Sequence, residues 1–396
     1  HSKSSPIITA QNMLSKPLQV QYLIFRNPSR AGECQGPVWC CEFSPDANFL
    51  ITGGRDGILK IFKFNKSSLV QPCAKIINNE FVNQNENGTH LPAGISTPPF
   101  REFNGHVADI ISISVNMNNY VISASLDMTI KIWHHLTPYC LASFTHREQI
   151  LMVQWDSFIP DIFYASDLSH IYRYDLKKHE ILKIKQEKVI YLNTNHQFLF
   201  CVSQQGLVAV RNKHNLKIET SFMVNYKHQS KIESACMSKS LNELIIICAD
   251  QKARVYSTWS GTLLQTFSDL KMKKFFKPQI LQFSELQKMQ LNLKEGPVIR
   301  NSENCLFILQ KDVQMFSQLL LCQQVQKNLK IKKFEPVNGY KDVEKDSFIT
   351  FKLNFEPTSS SVVSVENYSY VGGVTNYQWG IVIAGIDGCL RFIDLV

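Results

Sequence analysis

Short runs of alternating apolar and polar residues, separated by tight turns, dominate the chain. Within residues 36–62, an apolar run ends at Phe43, a second begins at Phe49 after Ser-Pro-Asp-Ala-Asn, and a third follows Arg-Asp-Gly at 55–57 and ends at Phe62. Alternation with a period of two indicates β-strands, and Asp-Gly between two such runs is a hairpin turn. The pattern predicts three antiparallel strands in succession, a β-meander.

The same plan returns along the chain with different residues. Gly105-His106 begins a second copy that closes at Trp133, and degenerate copies lie at 164–175, with one residue inserted, and at 198–211, without the turn Asp. In four copies an Asp stands six residues before an aromatic or large apolar residue, and these pairs are Asp56 and Phe62, Asp127 and Trp133, Asp250 and Tyr256, and Asp387 and Ile393. Self-similarity at a fixed period indicates a repeat architecture.

These motifs resemble the WD-repeat β-propeller family, whose unit has a Gly-His start, a turn Asp and a closing Trp-Asp. In the second copy His134 replaces the final Asp. The resemblance implies that this copy holds a chain of four hydrogen-bonded side chains, because a buried carboxylate needs partners. The expected members of this structural tetrad are His106, Ser125, Asp127 and Trp133. Structural turn carboxylates are expected at Asp56, Asp250 and Asp387.

The predicted fold is all-β: a seven-bladed WD-repeat β-propeller with some degenerate blades, closed by an N-terminal strand. Residues 1–36 form an N-terminal arm, in which Pro17–Phe25 has strand character and supplies the outer strand of the last blade. Residues 37–396 form the propeller, with an insertion at 65–97 and an expanded sixth blade at 270–345. The insertion is polar and rich in Asn, so it is expected to be a flexible tether or a segment that orders on binding.

A second layout narrows the resemblance. Gly-Pro-Val-Trp at 36–39 is followed by the insertion, by Pro-Phe-Arg at 99–101 and by Gly-His-Val-Ala-Asp-Ile at 105–110. This order is similar to the propeller of the endosomal Rab-eleven-binding WD-repeat protein family. The likeness is specific over residues 36–150 and weaker beyond them. In that family the Rab-binding segment lies upstream of the propeller. The resemblance therefore implies a scaffold, but it does not identify the ligands that the propeller itself binds.

Composition fits an ordinary soluble core-former, with 396 residues, 44% of them apolar and 19% charged. The longest uncharged apolar runs, 244–249 and 379–385, are far shorter than the ~20 residues that span a bilayer. Eleven cysteines, none spaced as Cys-x-x-Cys, indicate reduced thiols in a cytosolic protein. The expected location is therefore the cytoplasm, with peripheral placement on endosomal membranes or in a cytoskeletal or organellar complex as alternatives.

The net charge of +9 is mild over this length, but eight lysines fall into two short clusters around aromatic residues. Interleaved lysines and aromatics bind anionic lipid headgroups or single-stranded nucleic acid. The alternative is a solvated loop beside a degenerate blade. The candidate anionic-ligand patch consists of Lys271, Lys273, Lys274, Lys277, Lys330, Lys332 and Lys333.

The commonest catalytic signatures for phosphate, zinc and nucleophile chemistry are absent. The segment 53–57 is rich in glycine but lies in a hairpin, without the helix N-terminus that binds an anion. His134 and His135 have no third metal ligand near them in sequence. His106, Asp127 and Ser125 are the residue types of a hydrolytic triad, but the resemblance places them in a packed structural chain. We therefore expect no catalytic, cofactor or metal site, and a protein that is not an enzyme.

Propellers of this kind bind partners on the face that carries the loops entering each first strand and the turns between second and third strands. The candidate partner face consists of Trp39, Arg55, Asp109, Leu126, Gln251 and Ile386. The favoured function is a non-enzymatic scaffold for protein–protein interactions, acting as a Rab-effector-like adaptor in membrane trafficking. A structural subunit of a large cytoskeletal, ciliary or organellar assembly is the first alternative, and a phosphoinositide- or RNA-binding propeller is the second. Expected partners are proteins, with a small GTPase or an anionic membrane surface reached indirectly, and nucleic acid is the least favoured.

Overall fold

The described part of the chain folds into β-strands joined by short turns and contains no helix. The structure is a computed structural model that describes residues 20–26, 36–64, 75–77, 80–82, 98–224, 231–237, 243–248, 252–267, 274–275, 279–282, 304–311, 317–323, 348–353, 357–368, 375–385 and 388–395. Within these ranges no helix has the length and apolar character needed to cross a membrane.

The strands are mostly six residues long, which matches the short apolar runs of the sequence. In the first half they are β1 (Val20–Arg26), β2 (Val38–Phe43), β3 (Phe49–Gly54), β4 (Ile58–Lys63), β5 (Lys75–Ile77), β6 (Glu80–Val82), β7 (Arg101–Asn104), β8 (Ile110–Val115), β9 (Tyr120–Ser125), β10 (Thr129–His134), β11 (Ala142–Thr145), β12 (Met152–Trp155), β13 (Ile162–Ser166), β14 (His170–Asp175) and β15 (Glu180–Lys185). In the second half they are β16 (Val189–Thr194), β17 (Phe198–Ser203), β18 (Leu207–Asn212), β19 (Ile218–Met223), β20 (Ile232–Met237), β21 (Glu243–Cys248), β22 (Lys252–Ser257), β23 (Leu263–Phe267), β24 (Lys274–Phe275), β25 (Gln279–Gln282), β26 (Asn304–Lys311), β27 (Ser317–Gln323), β28 (Phe348–Leu353), β29 (Pro357–Tyr368), β30 (Thr375–Gly385) and β31 (Cys389–Leu395).

Most strands belong to four-stranded antiparallel sheets, which we call blades. Blade 1 has the order β2-β3-β4-β7, blade 2 is β8 to β11, blade 3 is β12 to β15, blade 4 is β16 to β19, blade 5 is β20 to β23, and the last blade is β29-β30-β31-β1. The first strands of successive blades lie side by side, and β2 of blade 1 also lies against β29 of the last blade. Four-stranded sheets arranged around a ring in this way form a β-propeller, so the prediction of an all-β propeller is confirmed.

Apolar layers between neighbouring blades form the core. Leu59, Ile110 and Trp133 pack together between blades 1 and 2, and Ile122 packs with Phe163 between blades 2 and 3. Alternate residues of each strand point to opposite faces of the sheet, so the two faces of one blade supply two different layers. Fully burying one side chain of this size contributes about 1.5–3 kcal/mol. The layers therefore hold the blades together and fix their relative positions.

We distinguish the two ends of the blades. The upper face carries the connections that enter each first strand and the turns between second and third strands, and the lower face carries the other turns. On the lower face a buried ion pair joins blades 3 and 4, because Lys213 Nζ lies 2.5 Å from Asp156 Oδ2. Lys213 also donates to the carbonyl of Asn195 at 2.7 Å. A buried charge requires such partners, so this pair links the two blades.

The two ends of the described chain meet in one blade. β1 pairs antiparallel with β31, with Val20 opposite Leu395 and Arg26 opposite Cys389. β1 thereby lies at the outer edge of the last blade, the place assigned to the closing strand in the sequence analysis. The boundaries of the N-terminal arm and of the propeller remain predictions.

A larger sheet lies between blade 5 and the last blade. Its strands follow the order β24-β26-β27-β28-β6-β5, and β25 also pairs with β26. Its strands β25, β26 and β27 lie within residues 270–345, the region predicted from the sequence to form an expanded sixth blade. β5 and β6 come from the insertion at 65–97, for which the sequence analysis predicts no strand, and β6 joins β28 through Glu80 and Lys352. Because this sheet combines two regions of the chain, the number of seven blades remains a prediction.

Candidate functional site

Trp39 and Asp109 join blades 1 and 2 on the upper face. Trp39 lies in β2, and Asp109 directly precedes β8. The indole N–H of Trp39 donates to Oδ2 of Asp109 at 2.7 Å. The carbonyl of Asp109 accepts the N–H of Leu126 at 3.0 Å. The structure therefore brings these three residues of the predicted partner face together at one junction between blades.

Arg55 lies on the same face and is exposed. Its N–H donates to the carbonyl of Pro37 at 2.9 Å. A Cβ added to Gly36 would lie 3.4 Å from Cδ of Arg55, so the arginine stem packs over this glycine. Arg55 thus places a cation beside the junction formed by Trp39. The remaining predicted members of this face, Gln251 and Ile386, lie outside the described residues.

The glycine-rich segment 53–57 is a structural turn at this junction. A Cβ on Gly53 would come within 2.6 Å of Cγ2 of Ile110, and one on Gly54 would overlap the carbonyl oxygen of Pro37. Gly57 has a φ of +67°, which favours glycine. Glycine at positions 53 and 57 lets the turn of blade 1 pack against blade 2, and glycine at position 54 lets it pack against Pro37. Close packing therefore explains these glycines.

A chain of hydrogen bonds runs through the interior of blade 2. The indole N–H of Trp133 donates to Oγ of Ser123 at 2.8 Å. Oγ of Ser123 lies 2.7 Å from Nε2 of His106, and Nδ1 of His106 lies 2.8 Å from Oδ2 of Asp127. A Cβ on Gly105 would come within 2.9 Å of the Trp133 ring, which explains the glycine before the histidine.

The serine of this chain is Ser123, and the expectation of Ser125 is wrong. Ser125 instead donates to the carbonyl of Ala108 at 3.0 Å and accepts the N–H of Asp127 at 3.1 Å. Residues 123 and 125 point to the same face of β9, so the alternation of side chains does not distinguish them. The difference is that the indole N–H of Trp133 reaches the hydroxyl of Ser123. Ser125 therefore holds the turn, and it does not form a catalytic arrangement with His106.

Burial sets the charge states in this chain. It lowers the pKa of His106 and outweighs the opposing effect of Asp127. Burial would raise the pKa of Asp127, but hydrogen bonds from Thr129, His106 and the N–H of Val107 outweigh it and hold the pKa below its ordinary value. At neutral pH a neutral imidazole therefore donates to a carboxylate, and its other nitrogen accepts from Ser123. The polar side-chain atoms of these four hydrogen-bonded residues therefore all have partners.

The turn carboxylate of blade 1 has a different partner. Asp56 Oδ2 lies 2.7 Å from Nζ of Lys60, and both side chains are almost fully buried. Oδ1 of Asp56 accepts the N–H of Ile58 at 3.1 Å. Asp56 thus both shapes the turn and neutralises a buried lysine. The predicted turn carboxylates Asp250 and Asp387 lie outside the described residues.

Blade 3 replaces the four-membered chain with tyrosines. The hydroxyl of Tyr174 lies 2.7 Å from Nε2 of His146, and the hydroxyl of Tyr172 donates to Oδ2 of Asp167 at 2.7 Å. Phe163 stacks on Tyr174 with ring centroids 4.4 Å apart, on the side of the sheet where blade 2 has Ser123. The tyrosine hydroxyl therefore reaches the imidazole directly, without an intervening serine.

Blade 4 uses an arginine for the same contact. Nε and Nη2 of Arg211 donate to Oε1 of Gln186 at 2.8 and 2.6 Å. Burial raises the pKa of the neighbouring Cys201 thiol to about 12. His106, His146 and Gln186 stand at intervals of 40 residues, and this spacing is the signal that would have revealed the series. Blades 2, 3 and 4 thus each tie the entering loop to the third strand by a different set of side chains.

Two exposed apolar side chains flank Asp127 on the upper face. Val107 is 91% exposed, and Met128 is 40% exposed. Met128 has a φ of +64°, in the region where the corresponding turns of blades 1 and 4 place Gly57 and Gly206. Neither residue was among the sites predicted from the sequence, although Met128 stands at the position that glycine occupies in the turn of blade 1.

The basic patch inferred from sequence is almost entirely outside the described residues. Only Lys274 is described, as part of the backbone of β24. Lys271, Lys273, Lys277, Lys330, Lys332 and Lys333 lie outside the described residues. The patch therefore remains a prediction.

His134 and His135 lie in a row of rings on the lower face. Their centroids are 4.4 Å apart, His134 lies 4.6 Å from Tyr120, and His135 lies 4.7 Å from Phe49. Within the described ranges, no group of three or more His, Cys, Asp or Glu side chains is arranged to hold a metal ion. The two histidines are packing residues of the lower face in this arrangement.

Comparison with protein families places the upper-face junction inside recognised repeats. The model of the WD domain, G-beta repeat, matches residues 28–63 and 97–134. The first segment contains Trp39 and Arg55, and the second contains Asp109, Leu126 and the chain that ends at Trp133. The residues that meet between blades 1 and 2 therefore belong to two adjacent repeats.

Several curated proteins are similar to parts of the chain. An uncharacterised WD repeat-containing protein of Schizosaccharomyces pombe is 24% identical over 256 residues, covering 59% of this chain and 42% of the relative. WD repeat-containing protein 44 of Xenopus laevis is 26% identical over 31% of this chain and 16% of its own length. The 2-deoxy-glucose resistant protein 2 of Saccharomyces cerevisiae is 26% identical over 28% of this chain and 17% of its own length. The chain thus spans less than half the length of the relatives it matches.

Proposed function

We propose that the chain, a β-propeller with two segments that match the WD domain, G-beta repeat, is a scaffold that binds a protein partner on the upper face of blades 1 and 2. Two of the relatives are WD-repeat proteins by name, which suggests a protein-interaction scaffold. The proposed surface, which we call the junction surface, consists of Trp39, Arg55, Val107, Asp109, Leu126 and Met128.

The observation that carries this proposal is the conformation of Met128. A residue other than glycine in the left-handed region costs about 1–3 kcal/mol, and such strain persists where the surroundings impose it and often serves function. Here the strained residue exposes an apolar side chain, and it stands beside Val107, which is almost fully exposed. Glycine at this turn would fold with less strain. A contact between a partner and the side chain of Met128 would explain why methionine stands at this position.

The polar groups of the junction surface suit a mixed contact. Arg55 is exposed, and Asp109 is held by Trp39 in a fixed orientation. Interfaces commonly combine an apolar centre with charged and aromatic residues around it. The matching partner would place an apolar side chain on Val107 and Met128 and a carboxylate near Arg55.

We further propose a role for the scaffold as an adaptor in membrane trafficking, in the cytoplasm or peripherally on endosomal membranes. The layout of residues 36–110 supports this role through its likeness to the endosomal Rab-eleven-binding WD-repeat family. A small GTPase or an anionic membrane surface would then be reached through the partner. A permanent subunit of a cytoskeletal, ciliary or organellar assembly is the competing outcome, and it would co-purify in a fixed ratio.

Cross-linking and capture from cells test the junction surface. Wild-type protein is compared with Val107→Asp and with Met117→Asp. Both residues are exposed apolar side chains, but Met117 lies on the lower face of blade 2. We expect Val107→Asp to lose the captured partner and Met117→Asp to keep it, with unchanged melting temperatures. Equal capture by the two variants would place the interface elsewhere and overturn the proposal.

A further inference from the structure

The outer strand of blade 3 differs in composition from the other outer strands. β15 contains Lys183 and Lys185, and Lys177, Lys178 and Lys188 flank it. By contrast, β11 and β23 contain no charged residue, β19 contains one glutamate, β7 contains one arginine and one glutamate, and β1 contains one arginine. Among the described blades, basic residues are concentrated on this edge.

β15 is also exposed along almost its whole length. Only Ile184 is partly buried, and it packs toward the core between blades 3 and 4. Lysines on an edge strand discourage unwanted pairing with other chains, which is their ordinary role. Ile181, however, is 56% exposed, and its neighbour Leu182 is exposed as well. Apolar residues on an open edge work against that protective role and favour a specific contact.

The lysines share one face of the sheet with Ile181. In the register with β14, Lys185 lies opposite His170, Lys183 opposite Tyr172, and Ile181 opposite Tyr174. Nζ of Lys183 lies 5.3 Å from the centroid of the Tyr172 ring, close enough for a cation–π contact. The ammonium group is therefore positioned over the sheet.

Nearby carboxylates are engaged or lie at the ends of the edge. Asp167 accepts the hydroxyl of Tyr172, and Glu148 accepts the hydroxyl of Ser169 at 2.6 Å. Glu180 and Glu187 are exposed at the two ends of the strand. The central part of the edge thus presents Lys183 and Lys185 without an intervening acidic residue.

We propose that β15 binds an extended acidic segment of a partner protein, which adds to blade 3 as a further strand. An edge strand offers N–H and C=O groups along its open side, and strand addition satisfies them. Side chains of the added strand would alternate, with carboxylates on the face of Lys183 and Lys185 and apolar residues on the opposite face, beside Leu182 and Ile184. This edge is separate from the junction surface, so the inference does not rest on the function proposed above.

A synthetic peptide of five Val-Glu repeats tests the charge requirement. Its binding is measured by fluorescence anisotropy to the full chain and to the double variant Lys183→Glu and Lys185→Glu. We expect binding to weaken about tenfold in the double variant, and a Val-Lys peptide to bind that variant better than the wild type. Glu219→Lys on β19 adds a cation to another outer strand and should leave binding unchanged. Equal binding to all three proteins would overturn the proposal.

A second pair of measurements separates strand addition from simple charge attraction. A Val-Glu repeat peptide that is methylated on every backbone nitrogen has the same charge, but it lacks the N–H groups needed for a ladder. We expect the unmethylated Val-Glu peptide, and not the methylated one, to slow amide hydrogen exchange in residues 180–185. Equal affinity for both peptides without slowed exchange would contradict strand addition. Binding of phosphatidylserine vesicles without binding of the peptide would assign the edge to a lipid surface and also overturn the proposal.

Discussion

The indole N–H of Trp133 and the imidazole of His106 meet at one atom, the hydroxyl oxygen of Ser123. The two distances are 2.8 and 2.7 Å, and the serine is fully buried. A single hydroxyl therefore donates to His106 and accepts from Trp133. Its loss would leave two buried polar groups without a partner.

Replacing Ser123 with Ala is expected to destabilise the protein by about 2–4 kcal/mol, because each buried unsatisfied group costs about 1–3 kcal/mol. Ser125→Ala removes contacts with backbone groups at the turn and should cost about 1 kcal/mol. Urea unfolding of both variants gives the free energies. Similar losses in the two variants would contradict the assignment of Ser123.

The stability should fall as the pH is lowered from 7 toward 5. The pKa of His106 is lowered by burial, so below its ordinary value of about 6.5 the unfolded chain binds a proton that the folded chain does not. The free energy of unfolding therefore decreases with decreasing pH across this window. Burial lowers the pKa of His135 and of His146 as well, and both add to the effect.

His106→Gln should make this pH dependence shallower, because glutamine does not titrate. The measurement is the free energy of unfolding at several pH values between about 5 and 7 for wild type and variant. The carboxylate of Asp127 contributes separately, since its lowered pKa places its loss of stability below about pH 4. Parallel curves for the two proteins between pH 5 and 7 would show that His106 does not contribute.

The sequence predicted the strands well because each blade repeats a two-residue alternation bounded by turns. The resemblance to WD repeats implied that His106, Asp127 and Trp133 belong to one hydrogen-bonded chain, and the structure joins these three. Alternation could not choose between Ser123 and Ser125, because both point to the same side of β9. The two strands of the insertion are only three residues long, too short for alternation to show.

Sequence motifs could not predict the contacts that Tyr174 and Arg211 make with the loops entering blades 3 and 4. Tyr174 and Arg211 replace tryptophan with side chains of different length and polarity, so the contact persists without a shared residue type. The exposure of Met128 depends on a backbone angle. A sequence shows the residue at that position, but only the folded turn shows its φ.

Met128→Gly is expected to stabilise the fold by about 1 kcal/mol, because glycine adopts a φ of +64° without the steric cost of a Cβ. Met128→Ala retains the Cβ and should give no such gain. Thermal and urea unfolding check both variants. A variant that is more stable but captures less partner would connect the strain to binding, whereas a destabilised glycine variant would rule out strain at this turn.

Removing one partner of the ion pair between Lys213 and Asp156 should cost about 3–5 kcal/mol, because the other charge is left buried. Lys213→Met and Asp156→Asn test the two halves. We expect the double variant to lose less stability than the sum of the single losses, by about 0.5–3 kcal/mol. Additive losses in urea unfolding would mean that the two charges do not depend on each other.

The pairing of β1 with β31 sets an order of events during synthesis. β1 leaves the ribosome first, but its partner strand follows about 360 residues later. At about 5–20 residues per second, roughly 20–70 s pass before the two strands can pair. During that time the first blades can fold through local contacts, whereas the segment that forms β1 has not yet paired with β31. A chaperone that covers β1 during translation would therefore act at the step on which completion of the last blade depends.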